Sequence, residues 1–140
     1  MPMPAIRFRI DFSQDTNVGP GKIELLEAIQ SSGSLSQAAR DIGMSYRRAW
    51  QLMESLNASF REPLAIATVG GKGGGGVQIS RLGERLVKSY RALEAEIAQT
   101  AVRHLSTIAP YVAVSPTSKG KAPRRPLARK AKAQYRGVRK

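Results

Sequence analysis

The stretch GSLSQAARDIGMSYRRAWQLMESLN, residues 33–57, leaves the chain few ways to fold. Ser34 is placed to cap a helix, and Gln37, three positions on, completes a capping box. That helix is brief, because Gly43 supplies the left-handed residue that stops it. Ser45 then caps a further helix that reaches about Phe60. Ala39, four residues before Gly43, is small where the two helices must cross closely. Two short helices joined by a glycine-bearing turn make a helix-turn-helix.

The flanking segments are simpler. Ala5–Phe12 alternates, with Ile6, Phe8, Ile10 and Phe12 on one side and Arg7, Arg9 and Asp11 on the other, which predicts a half-buried strand. SQDTNVGPG is loop. Ile23, Leu26 and Ile29 repeat at helical spacing, and that first helix ends at Ser31-Ser32-Gly33. After the helix-turn-helix, Leu64–Val69 and Val77–Ser80 are short strands around VGGKGGGGVQIS, which holds six of the thirteen glycines. Ser80 caps a last helix running to about Leu105. Its apolar stripe is Leu82, Leu86, Tyr90, Leu93, Ile97 and Ala101.

Gly71, Gly73 and Gly76 match GxGxxG, but a nucleotide cradle needs that pattern between a strand and a helix, and here a strand follows. A P-loop fails as well, because Gly73 follows Lys72 where Ser or Thr is required. Strand, glycine loop and strand directly after a helix-turn-helix instead make a wing. The expected fold is therefore mainly α with a small β-hairpin wing, a winged helix-turn-helix with a long C-terminal helix. In a wing, the amides of Gly73 and Gly74 approach phosphates unobstructed while Lys72 adds charge. Two alternatives stay open: a hairpin tip with no ligand, or glycines that only set the bend.

At this point GSLSQAARDIGMSYRRAW followed by GGKGGGGVQISRLGERL resembles the N-terminal DNA-binding domain of the molybdate-responsive (ModE-type) bacterial transcription regulators. It is similar, less closely, to the helix-turn-helix of LysR-type regulators. The resemblance covers roughly residues 20–100, and it implies a dimeric winged helix reading a palindromic operator. In that family, small β-barrel domains downstream bind molybdate. Only 35 residues follow Leu105, without strand alternation, so molybdate sensing is not carried over and no small-molecule effector or cofactor is expected.

On the third helix Ala49, Met53, Leu56 and Phe60 share one face, with Leu52 close by, and should enter the core. The opposite face carries Arg47, Gln51, Glu54 and Ala58. N-terminal turns of a recognition helix meet base edges first, so Tyr46, Arg47, Arg48 and Gln51 are the expected readers. Arg47 or Arg48 can pair with guanine and Gln51 with adenine. Ser45 and Gln37 are better placed for phosphate. Blander readings are a solvated Arg47–Arg48 pair, a surface Gln51 and a structural Trp50 beside Tyr46.

The 25-residue stretch 81–105 would form a helix roughly 37 Å long, more than so small a domain covers. Its surplus stripe, with Leu86, Tyr90, Leu93 and Ile97, predicts a homodimer. The alternative is a helix folding back on its own domain. Twofold symmetry would set half-sites roughly 34 Å apart, or a multiple of it.

Charge divides the chain further. The net charge is +13, yet residues 106–140 hold ten Lys/Arg and no acid, while residues 1–105 hold thirteen against ten. Residues 1–19 are thus an N-terminal strand and loop, 20–105 the DNA-binding and dimerisation domain, and 106–140 a basic, disordered tail suited to polyanions. There is no cysteine, the lone His104 lacks ligand neighbours, and no nucleophile–base pair appears, so neither metal site nor enzyme is expected. Without a signal-like or membrane-spanning apolar run, the expected location is cytoplasmic, on the nucleoid. The expected function is a sequence-specific transcriptional regulator. The alternative is an architectural, nucleoid-associated protein of low specificity.

Overall fold

The computed structural model describes residues 5–69 and 76–113. They fall into two units, one ending at His104 and the other starting at Leu105. In chain order the elements are β1 (Ile10–Asp11), β2 (Asn17–Val18), α1 (Pro20–Ser32), α2 (Leu35–Asp41), α3 (Tyr46–Ser59), β3 (Ala65–Thr68), β4 (Gly76–Ile79) and α4 (Arg81–Leu105). Helices dominate and the strands form two separate antiparallel hairpins, β1–β2 and β3–β4.

α1 is the central element. Pro20 begins it, where a missing N–H costs nothing, and Gly33 ends it in the left-handed conformation. The repeat Ile23, Leu26 and Ile29 is buried as expected, but Leu25 and Ala28 are buried too. A helix packed on two sides has no single apolar stripe, so one-face periodicity under-reads it. α2, α3 and β4 pack on α1. From α4, the Arg91 guanidinium grips both Glu27 carboxylate oxygens of α1 at 2.7 and 2.9 Å.

The N-terminal strand is shorter than its alternation predicts. Only Ile10 and Asp11 pair, with Val18 and Asn17, so β2 lies inside the stretch expected to be loop. Ile6, Phe8 and Ile10 are half-buried, whereas Phe12 is 58% exposed and meets Phe60 edge-on. Alternation records which side chains are covered, and here a helix covers them in place of a sheet. Phe8 stacks on Tyr90 of α4 at 4.7 Å between ring centres, and the Tyr90 hydroxyl donates to the Phe8 carbonyl at 2.7 Å.

Tyr90 is therefore core, only 2% exposed. Burial, with the Glu94 carboxylate next, pushes its phenol above the usual value. A group that holds its proton more tightly when folded contributes stability in full below its unfolded pKa, near 10. That contribution fades as pH rises through the folded value. Tyr90→Phe should cost about 1 kcal/mol at neutral pH and remove this alkaline loss. Denaturant midpoints measured from pH 8 upward for both proteins check it.

Asn57 closes the link from α3 to β3. Its Oδ1 accepts from the Leu64 and Ala65 amides at 2.8 and 3.1 Å, and its Nδ2 donates to the Ala65 carbonyl at 2.9 Å. Leu64 and Ala65 are buried, so no water replaces a lost partner. Asn57→Ala should destabilise by about 2–4 kcal/mol, the cost of orphaned buried amides, readable as a lowered urea midpoint.

In α4 the buried residues are Gly83, Val87 and Tyr90. Ser80 caps the helix, its Oγ accepting from the Gly83 amide at 3.1 Å. Leu82, Leu86, Leu93 and Ile97 lie roughly 70° around the helix from that buried face. Leu82, Leu86 and Ile97 are half-buried, and Leu93 is 39% exposed. Tyr90 thus leaves the surface stripe expected of it, because Phe8 of its own chain already covers the ring. In the second unit, a turn and a short 3-10 helix at Ala109–Tyr111 occupy the start of the stretch 106–140 expected as tail. The rest of that tail lies outside the described residues.

Candidate nucleic-acid interface

The helix-turn-helix forms as its residues dictate. Ser34 Oγ accepts from the Gln37 amide at 3.1 Å, capping α2. The reciprocal half of the capping box is absent: the Ser34 amide donates to Ser32 Oγ at 3.2 Å. The Gln37 side chain turns instead along α2, donating to Asp41 Oδ1 at 2.7 Å and accepting from Arg40 at 3.0 Å. Gly43, at φ 68°, ends the helix. Its amide bonds to Arg40 O at 3.2 Å and the Met44 amide to Ala39 O at 2.9 Å, the paired bonds of a Schellman stop. Ala39, 2% exposed, lies in the core shared by the helices.

Ser45 Oγ accepts from the Arg48 amide at 3.1 Å and starts α3. Ala49 and Leu56 are buried, with Leu52, Met53 and Phe60 packed against the same core. Every residue expected on the outer side is exposed: Tyr46, Arg47, Arg48 and Gln51, then Glu54 and Ala58. Tyr46, Arg47 and Trp50 line a shallow surface hollow. Trp50 is 46% exposed, so it covers the domain's edge only in part.

β3 and β4 pair antiparallel, Ala65 opposite Ile79 and Thr68 opposite Gly76. One glycine of the loop region has a purely internal reason. A β-carbon on Gly76 would stand 2.7 Å from the Gly33 carbonyl, which accepts from the Val77 amide at 3.0 Å. Gly76 thus lets the wing's return strand lie against the end of α1. Lys72, Gly73 and Gly74 lie outside the described residues.

One cation that sequence spacing does not single out is Lys22. Lys22 is half-buried in the first turn of α1, and its Nζ donates to the Asn17 carbonyl at 2.9 Å. Burial first, then the charges of Arg9 and Arg48, lower its proton affinity.

A capped helix-turn-helix followed at once by a two-stranded hairpin defines a winged helix-turn-helix domain. No family model matches the chain. Among curated relatives, the molybdenum transport protein ModE of Azotobacter vinelandii is 43% identical over 108 residues, spanning 74% of this chain and 40% of the relative. The DNA-binding transcriptional dual regulator ModE of Escherichia coli K12 is 40% identical over 101 residues, 72% of this chain and 38% of its own length. The molybdenum-pterin-binding protein MopB of Rhodobacter capsulatus is 40% identical over 82 residues, 59% and 30% of the two lengths. This winged helix-turn-helix is therefore of the ModE type. The chain spans two fifths or less of the length of these relatives.

Among the described residues, no helix is long and apolar enough to cross a membrane, and no group of three or more His, Cys, Asp or Glu side chains gathers around a metal-sized space.

Proposed function

We propose that the chain is a sequence-specific, DNA-binding transcriptional regulator that acts as a homodimer on a palindromic operator. The observation that carries this reading is the outer side of α3. Tyr46, Arg47, Arg48 and Gln51 stand exposed on its N-terminal turns while its other side is held in the core. That is the arrangement by which a recognition helix meets base edges in the major groove. The ModE relatives, one named as a DNA-binding transcriptional regulator, support it.

In this reading Arg47 and Gln51, one turn apart, form the base-reading pair, for guanine and adenine respectively. Glu54, next on that face, would repel phosphate and so limits contact to the first two turns. Ser45 serves phosphate, since its hydroxyl proton is not used by the cap. Gln37 gives one of its two amide hydrogens to Asp41 and offers the other to phosphate. Lys72, Gly73 and Gly74 follow the adjoining backbone. Leu86, Leu93 and Ile97 form the dimer seam, and residues 114–140 add non-specific charge. No step of this function calls for catalysis, and the working location is the nucleoid.

The basic tail favours a second reading, an architectural protein of low specificity. Selection of bound fragments from the source genome, followed by affinity measurement at physiological salt, separates the two. A regulator should prefer its selected site over random duplex by at least roughly 10³-fold. Equal affinity for both would overturn the regulator reading in favour of the architectural one.

A further inference from the structure

We infer that Trp50, with Tyr46 beside it, determines specificity by taking the C5-methyl group of a thymine, next to the bases that Arg47 and Gln51 meet. The inference rests on the DNA-binding reading and deepens it, because it names the base chemistry that one flank of α3 recognises.

Placement comes first. Tyr46 and Trp50 are one helical turn apart, so their side chains are neighbours on one flank of α3. Together with Arg47 they line a single shallow hollow. Asn57, two turns beyond Trp50 and within about 20° of it around the helix, donates to the Ala65 carbonyl of β3. The hollow therefore lies on the flank of α3 turned towards the first strand of the wing. It adjoins the side that carries Arg47 and Gln51.

Burial separates this pair from the structural aromatics of the chain. Phe8 and Tyr90 stack on each other, and the Tyr90 hydroxyl donates to a carbonyl. Tyr46 is 56% exposed and Trp50 46%, and neither enters the core. Two large aromatic side chains left side by side in water have apolar surface to gain from a partner. Arg47, in the same hollow, has no carboxylate partner among the described residues. The covering surface must then be apolar against the rings and hydrogen-bonding or anionic against the guanidinium. Base edges in the major groove present donors and acceptors, and their one apolar group is the thymine methyl. A thymine beside the guanine read by Arg47 meets both demands.

The test replaces thymines of the selected operator with deoxyuridine, which removes only the C5-methyl, one position at a time and in both half-sites together. At one position the unaltered protein should lose roughly 15-fold in affinity, since burying one methyl per half-site is worth about fourfold. Trp50→Ala should bind the thymine and uracil operators alike. Indifference of the unaltered protein to every replacement, or a thymine preference kept in full by Trp50→Ala, would overturn the inference. Should the variant fold poorly, the unaltered protein still supplies a second readout, because Trp50 is its only tryptophan. Saturating operator should move its emission to shorter wavelength and shield it from acrylamide, and unchanged emission and quenching would again overturn the contact. The two readings fail separately: loss of preference for the selected operator over random duplex sinks the regulator, while intact preference without a response to uracil sinks only the methyl contact.

Discussion

Arg47→Ala combined with Gln51→Ala should lower operator affinity by roughly 30- to 10⁴-fold, while affinity for random duplex falls less than about tenfold. Each bidentate pair between side chain and base is worth about 1–3 kcal/mol, and a factor of ten corresponds to about 1.4 kcal/mol. Both residues are exposed on α3 and outside its core-facing side, so the double variant should keep its thermal midpoint. Random duplex offers no matched bases, and the variant loses only one positive charge there. Competition binding on both duplexes checks the result; equal losses would mean that these side chains serve only the backbone.

Leu93→Glu should give a monomer at micromolar concentration and reduce operator affinity at least about 100-fold. Leu93 is 39% exposed on α4, within a narrow arc that also holds Leu86 and Ile97. A carboxylate there is tolerated in water but strongly disfavoured against a second apolar stripe. A monomer engages one half-site at a time and so loses the gain in effective concentration that linked recognition helices provide. Val102→Glu is the control, because Val102 projects from the opposite side of α4 and should leave the mass unchanged. Light scattering distinguishes these outcomes, and a dimeric Leu93→Glu protein would refute the seam.

Much of this architecture is legible in the residues because it is local. A serine cap acts within three residues, as at Ser34, Ser45 and Ser80, and a left-handed glycine acts on one turn, as at Gly43. The inner face of α3 follows from helical spacing alone. These features need no knowledge of what lies across the fold, which is why the helix-turn-helix and its hairpin can be placed from the residues themselves.

What spacing does not contain is the identity of the neighbour. α1 hides Leu25 and Ala28 as well as its regular stripe because it is packed from two sides. Tyr90 continues the pattern of Leu86 and Leu93, yet Phe8, distant along the chain, occupies its surface. Asn57 looks like any polar helical residue until the buried amides of Leu64 and Ala65 arrive beside it. Gly76 belongs to a glycine-rich run whose purpose invites a ligand, and its own reason is the carbonyl of Gly33.

The sequence by itself determined the helix-turn-helix, its caps, the paired strands of the wing and the outward set Tyr46, Arg47, Arg48 and Gln51. Only the tertiary structure decided which apolar side chains of α4 face inward, and that Asn57 meets the amides of Leu64 and Ala65. The physical reason is range. Hydrogen-bonded caps and helical periodicity act between near neighbours in the chain, whereas burial and charge act on whatever the folded chain brings close, regardless of its place in the order of residues.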